Sequence, residues 1–205
     1  MSKPIVLTME QGSPAWLQAR LGIATASELD CLLVNGKGES GFGVAAYTYM
    51  DQIIGERITG EAAELPFQTK ATIRGHEQEK VALGLYEAIE DVTVESAGII
   101  LNHGMGYSPD GLIGKNGLIE IKTKLPKFQV GVILSDEVPK EHVAQCQSGL
   151  WISDREWIDF ISYWPGMPLF VKRLHRDEAM IRKMAERVKT FYEILDDRMN
   201  RVLGI

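Results

Sequence analysis

Ser108-Pro109-Asp110-Gly111-Leu112, followed a few residues later by Gly117-Leu118-Ile119-Glu120-Ile121-Lys122, is the stretch that decides the fold. Its hydrophobic period is two, which reads as strands over Met105 to Ile113 and Leu118 to Thr123, with Asn116-Gly117 as a strong hairpin turn between them. Side chains alternate faces along a strand, so Ile119, Ile121 and Thr123 point one way and Leu118, Glu120 and Lys122 the other. Glu120 and Lys122 are therefore neighbours by construction. The turn folds Asp110 back towards them, although the pattern alone leaves the register of Asp110 against Glu120 open.

Two carboxylates and a lysine converging on a sheet are costly to bury unpaired, and a hard divalent cation with oxygen ligands resolves that cost. Magnesium suits such a donor set better than zinc, with manganese as the expected substitute. A cation there can stabilise charge on a phosphoryl oxygen and lower the pKa of a bound water, while Lys122 positions that water or helps deprotonate it. Asp110, nine intervening residues, Glu120, one residue and Lys122 form the acid, acid-x-lysine signature of metal-dependent nucleases. Glu-x-Lys alone is frequent by chance as an exposed strand pair. The hairpin, the upstream Pro-Asp-Gly and a preceding acidic helix supply the context that the tripeptide lacks.

Working outward, Val92 to Leu101 reads as a further strand before the hairpin, and Trp157 to Tyr163 and Leu169 to Leu174 as two after it. Ser13-Pro14 starts a helix that stops at Gly22, and Thr25-Ala26-Ser27-Glu28 reads as a capping box opening a second. Helical spacing continues over Ala45 to Ile58 and Ala71 to Ile89, and Pro139 opens a helix through Gln145 towards Trp151. The C-terminal helix is marked by Met180, Met184, Val188, Phe191, Leu195, Met199 and Val202 at steps of three or four. Helices, a run of mostly antiparallel strands, a helix, strands and a helix predict an α/β or α+β fold, a mixed central sheet flanked by helices. At 205 residues without a visible linker, the expectation is a single domain over 1–205.

With 22 basic against 28 acidic residues the net charge is −6, which argues against a uniformly basic nucleic-acid surface. The charge is segregated, however. Glu77 to Glu95 holds six acids and one base, whereas Lys115 to Lys127 holds four lysines and only Glu120 as an acid, a pattern of one specialised face. No apolar run reaches the roughly 18 residues of a membrane span, so a cytoplasmic protein is expected. Cys31 and Cys146 match neither a disulfide framework nor a zinc spacing and read as reduced and buried. His76, His103 and His175 give no metal-ligand spacing.

Glu79 shares a helical face with Ala82 and Tyr86, which leaves two readings: an inward carboxylate completing a metal site, or one more acid on a solvated helix. Ser27, in the first turn of its helix, sits where free N–H groups favour an anion, and Arg20 can add a forked contact to a phosphate. On local sequence alone the plainer reading of both residues is an ordinary helix position, ahead of phosphate binding. Gly36 to Gly41 matches G-x-G-x-x-G but follows a predicted helix, not a strand, and reads as a loop. His142 and Cys146 lie one helical turn apart, without an activating site for a thiol nucleophile.

Taken together, Trp16 to Ser27, Gly75 to Tyr86, Ser108 to Lys122 and Ala144 to Trp151 resemble the lambda exonuclease and YqaJ-type viral recombinase family of PD-(D/E)XK nucleases. The chain is similar to a short bacterial or phage member. The resemblance implies a restriction-endonuclease-like core and a processive 5′ to 3′ exonuclease. Such an enzyme degrades one strand of linear double-stranded DNA to mononucleotides and leaves a 3′ overhang for recombination. It implies a ring-shaped homotrimer and, by family analogy, a single-strand annealing protein as partner. Asp110, Glu120 and the Ile121 carbonyl then correspond to magnesium ligands, Lys122 to the water-positioning lysine and Glu79 to the helix carboxylate. Arg20, Ser27 and Gln145 correspond to the pocket for a 5′-phosphate. An acidic exterior with a basic inner face would reconcile the net charge with DNA, with Lys115, Lys124 and Lys127 as candidates for that face. Thr123, with Pro126 three further on, departs from the cysteine and proline of many relatives and predicts a locally altered strand exit.

Two rivals remain at this level. One is a PD-(D/E)XK endonuclease or RecB-like nuclease with the same metal site and no end pocket. The other is a catalytically inactive DNA-binding clamp, against which the intact Asp110, Glu120 and Lys122 argue.

Overall fold

The computed structural model describes residues 3–62 and 70–205. In chain order these form β1 (Ile5–Leu7), α1 (Pro14–Ala19), β2 (Ala24–Thr25), a 3₁₀ turn over Ala26–Glu28, α2 (Leu29–Leu33), α3 (Val44–Thr59) and α4 (Lys70–Glu90). There follow β3 (Ile99–Asn102), β4 (Met105–Tyr107), β5 (Gly111–Ile113), β6 (Gly117–Thr123), α5 (Pro126–Ser135), α6 (Lys140–Ser153), β7 (Trp157–Tyr163), β8 (Phe170–His175) and α7 (Glu178–Leu203). The fold is mixed α+β, as expected. Its strands form two four-stranded sheets, ordered β1-β3-β4-β2 and β5-β6-β7-β8.

In the second sheet β6 and β7 run parallel in unbroken register from Gly117 opposite Trp157 to Thr123 opposite Tyr163, flanked by antiparallel β5 and β8. The alternation read from the sequence sets what covers each face. Ile119 and Ile121 pack with Ile161 and Tyr163 against Ala82 and Tyr86 of α4, whereas Leu118 joins the main core with residues of α6 and α7. The main core is closed by Met184, Val188, Phe191 and Leu195 along α7. The expected stripe on that helix is displaced at its ends: Ile181, not Met180, is buried, and Val202 is 67% exposed because the helix outruns the core.

The strands expected over Val92 to Leu101 and Met105 to Ile113 are shorter and divide between the sheets. Ser108, Pro109 and Asp110 leave β4 in one sheet and enter β5 in the other, and of the earlier stretch only Glu95 bridges to Leu112 before β3 begins. The expected Asn-Gly turn is a three-residue loop over Gly114, Lys115 and Asn116, with Gly114 at φ +49°. Gly117 is the first residue of β6, and Trp157 lies so close that a Cβ there would meet its ring at 2.4 Å. The capping box is also corrected. Thr25 pairs in β2 with Gly106, and its hydroxyl lies 3.2 Å from Ser27 Oγ and 3.4 Å from Tyr49 Oη, so it caps nothing. Cys146 is buried, but Cys31 is only half-buried because α2 is five residues long and covers one face. The strands β1 and β2 and the helix α5 were not signalled by the sequence pattern.

The strand exit at Thr123 keeps its pairing one residue further, with the Lys124 N–H donating to Tyr163 O at 3.1 Å, before Pro126 opens α5. Among the described residues no helix is long and apolar enough to cross a membrane.

Candidate active site

Gly111 pairs with Ile119, so the next step of the ladder sets Asp110 against Glu120. The Asp110 N–H donates to Ile119 O at 3.2 Å, and Asp110 Oδ2 accepts the Ile121 N–H at 2.6 Å. A strand residue's N–H and C=O leave the chain on the same edge, so the Ile121 carbonyl also faces the Asp110 side. Asp110, Glu120 and that carbonyl form a set of hard oxygen donors where β5 ends and β6 continues.

Glu120 is 2% exposed and held from three directions. Lys122 Nζ lies 2.7 Å from Oε1, Gln145 Nε2 of α6 donates to the same oxygen at 2.6 Å, and Tyr107 Oη of β4 donates to Oε2 at 3.1 Å. These three donors leave part of the carboxylate's lone-pair capacity on Oε2 open. Burial, and next the charge of Glu120, push the Asp110 carboxyl well above the usual range. The Ile121 N–H and Lys122 oppose the rise, and Glu79 adds to it. Burial draws the Lys122 pKa down, but Glu120 and Asp110 more than reverse this, and the net shift is upward. The ammonium is thus a firmly protonated donor.

Ionised together, Asp110 and Glu120 exceed the single Lys122 ammonium in charge, and Glu79 adds to that excess from α4. A divalent cation with oxygen ligands fits this donor set. Among the described residues no three His, Cys, Asp or Glu side chains are grouped so as to hold a metal ion, so the oxygen donors brought together here are two carboxylates and a backbone carbonyl. Glu79 stands at the rim, its side chain 34% exposed and its carboxylate 3.3 Å from His76 Nδ1. The inward neighbour on α4 is Gln78, which is buried and whose Oε1 has no hydrogen-bond partner among the described residues.

Directly beside the carboxylates lies a cleft of about 160 Å³ lined by Arg20, Thr25, Ala26, Ser27, Ile99, Gly106, Tyr107, Ser108 and Gln145. Arg20 and Ser27, seven positions apart, meet there with the distant Gln145. The Arg20 guanidinium rests 4.4 Å from the centre of the Trp16 ring, whose indole N–H donates to Ser108 Oγ at 2.8 Å and to Gly98 O at 3.1 Å. Ser27 is exposed on the 3₁₀ turn and lines the cleft, its Oγ 3.2 Å from the Thr25 hydroxyl. Tyr107 and Ser108 line the cleft as well; Ser108 opens the stretch that decides the fold, but the sequence pattern gives neither residue a place in the site. A phenol buried among apolar residues requires a partner, but the strand pattern cannot say which.

The lysines proposed for a basic face separate. Lys115 sits on the β5–β6 loop at the far end of β6 from Lys122, whereas Lys124 and Lys127 follow the strand exit. Lys124 is paired with His142 and Glu141, and Lys127 is exposed with its ammonium 4.8 Å from the Phe128 ring centre. Cys146 sits beneath Glu120, and burial followed by that charge pushes its thiol far up, which leaves it inert as a nucleophile.

The family described as YqaJ-like viral recombinase domain matches residues 15–156, which include every residue of both the carboxylate cluster and the cleft. The chain belongs to this family. An alkaline exonuclease, LHK-Exo, from Laribacter hongkongensis is similar over 94% of this chain and 97% of its own, at 30% identity and a TM-score of 0.82. The structure of LHK-Exo in complex with dAMP gives 29% identity, 93% and 96% coverage and the same TM-score. A phage-related exonuclease from Haemophilus somnus 129PT shares the fold at 15% identity, with 88% and 96% coverage and a TM-score of 0.66. No curated protein matches the chain. The PD-(D/E)XK-like core that the sequence predicted is thus the fold of this YqaJ-type chain.

Proposed function

We propose that this chain is a single magnesium-dependent exonuclease domain that degrades the 5′-ended strand of linear double-stranded DNA to mononucleotides and leaves a 3′ overhang. Its family and its alkaline exonuclease relatives support a nuclease that depends on a divalent metal. The observation that carries the finer reading is the placement of Gln145. It lines the cleft and also donates to Glu120, so an anion in the cleft lies beside the oxygen donors. A terminal 5′-phosphate held by Arg20, Ser27 and Gln145 would set the next phosphodiester at Asp110 and Glu120. The dAMP complex of a relative is consistent with a deoxynucleotide product.

Asp110, Glu120 and the Ile121 carbonyl would hold the cation, with Glu79 reaching in from α4. When bound, the cation supplies charge stabilisation at a phosphoryl oxygen and a lowered pKa for water. Lys122, protonated against Glu120, orients the attacking water and offsets charge developing on the phosphate. Tyr107 and Gln145 fix the Glu120 carboxylate, so its orientation is set before substrate arrives. A ring-shaped homotrimer and an annealing partner extend the same reading.

Nucleotide release from linear duplexes with 5′-phosphoryl or 5′-hydroxyl ends, and from closed circles, in magnesium, tests it in one assay. Mononucleotides from phosphorylated ends with circles untouched are expected. Cut circles would make the chain an endonuclease, and inert DNA throughout would make it a binding clamp.

A further inference from the structure

On the far side of Lys122, α6 makes a second polar contact, with Lys124 just beyond the end of β6, through a histidine to which the nuclease reading gives no role. Glu120, Lys122 and Lys124 follow one another at steps of two, and α6 engages the first through Gln145 and the last through His142, one helical turn away. Lys124 Nζ lies 2.7 Å from His142 Nε2 and 3.5 Å from Glu141 Oε1. An ammonium has donors only, so Nε2 is the acceptor and the ring carries its proton on Nδ1.

We infer that His142 is a positioning residue: by accepting the Lys124 ammonium it holds that charge about one strand repeat beyond Lys122, as a contact for a neighbouring phosphate of the DNA strand being degraded. The inference rests on the nuclease reading above. Four observations carry it. The His142 ring is stacked on Phe160, with centroids 5.4 Å apart and planes 23° apart, and its side chain is 15% exposed, so the acceptor is fixed. Lys124 is 19% exposed, which fixes the donor as well. An imidazole acceptor leaves the net charge of Lys124 intact, whereas a carboxylate in the same place would cancel it. With burial first, then Lys124 and Lys122, holding the His142 pKa down to about 4, the ring stays uncharged at working pH.

Glu141 is the competitor. Its side chain is 63% exposed, so its pull on Lys124 is screened and weak while His142 is present. Of the three ammonium donors, His142 and Glu141 engage two, and the third is available to a phosphate oxygen.

The test measures affinity for 5′-phosphorylated duplex in calcium against salt, alongside turnover in magnesium. A lost phosphate contact lowers the salt slope by about 0.9, so a fourfold rise in salt weakens wild type about three- to fourfold more than the variant. Lys124→Ala and His142→Phe should each lose that increment, the double variant no more than either, and His142→Gln, which restores an acceptor, should recover it. Phenylalanine keeps the ring on Phe160, and thermal unfolding confirms that the fold is retained. A wild-type slope for His142→Phe, or an additive double variant, overturns the inference. A wild-type slope for Lys124→Ala overturns the phosphate contact itself. Wild-type protein inert on every DNA would instead refute the nuclease reading.

Discussion

Gln145 donates to Glu120 Oε1 at 2.6 Å while its side chain lines the cleft that also holds Arg20 and Ser27. One amide thus touches both halves of the site. Gln145→Leu removes a hydrogen bond from a buried carboxylate, which costs about 1.5 to 3 kcal/mol of stability. It should also lower turnover and reduce the preference for 5′-phosphorylated ends. Denaturant unfolding and paired end-group kinetics check both effects, and an unchanged preference would separate the two halves.

Among the described residues Lys122 is the only cation bonded to Glu120, and in the proposed mechanism it is the group that meets charge on the phosphate. Lys122→Ala should lower turnover by about 10²- to 10³-fold, in the range for loss of one preorganised donor. Binding of duplex in calcium should persist. Single-turnover cleavage and a calcium binding isotherm read the two separately, and normal turnover would remove Lys122 from the chemistry.

Arg20 lies over the Trp16 ring at the mouth of the cleft, where a guanidinium can fork onto a phosphate. Arg20→Ala should reduce the rate ratio between 5′-phosphoryl and 5′-hydroxyl ends by about ten- to a hundredfold, the equivalent of one charged hydrogen bond. The 5′-hydroxyl rate should change little. An equal loss on both ends would mean that Arg20 supports the fold and not end recognition.

What was legible in the sequence is what local periodicity controls. The alternation of Ile119, Glu120, Ile121 and Lys122 set both faces of β6, and Glu120 and Lys122 are neighbours on one of them, 2.7 Å apart. Arg20 and Gln145 are 125 positions apart, and no local pattern could show that they line one cleft. Asn-Gly is a turn dipeptide and marks Gly117 as a turn residue, yet in the fold its lack of a side chain makes room for the Trp157 ring. The helix α5 was hidden because Val130, Val132, Ile133 and Leu134 form an apolar run without a helical gap. Thr25 and Glu28 have capping-box spacing, but strand pairing with Gly106 takes Thr25 first.

Asp159, which the sequence reading passed over, is 2% exposed on the α4 face of β7. It accepts two bonds from Arg173 at 2.8 Å and one from Tyr86 Oη at 2.6 Å, tying α4 to the sheet. Asp159→Ala leaves the buried Tyr86 hydroxyl without its acceptor, while Arg173, nearly half exposed, can rehydrate. The expected loss is about 3 kcal/mol, towards the lower end for a broken buried pair. A lower urea midpoint with an unchanged slope is the expected reading, and an unchanged midpoint would mean the network contributes nothing net.

Asp110 gives the pH dependence its sign. Its pKa in the folded protein stands well above the ordinary carboxylate value, chiefly through burial and then through Glu120, so without metal the folded state binds more protons than the unfolded one. Stability then falls as pH rises from the ordinary aspartate range to the raised folded value, and is flat beyond it. A divalent cation requires the ionised form, so it should stabilise the protein more as pH rises through that window, with proton release on binding. Asp110→Asn keeps an oxygen to accept the Ile121 N–H and removes the charge. That variant should be more stable than wild type in chelator at neutral pH, and should gain little from magnesium or calcium. Thermal midpoints across pH, with chelator or calcium, measure this directly. A metal-free midpoint that climbs through the window would mean that Asp110 is stabilised as the anion, and that the protein itself, without a cation, balances the two carboxylates.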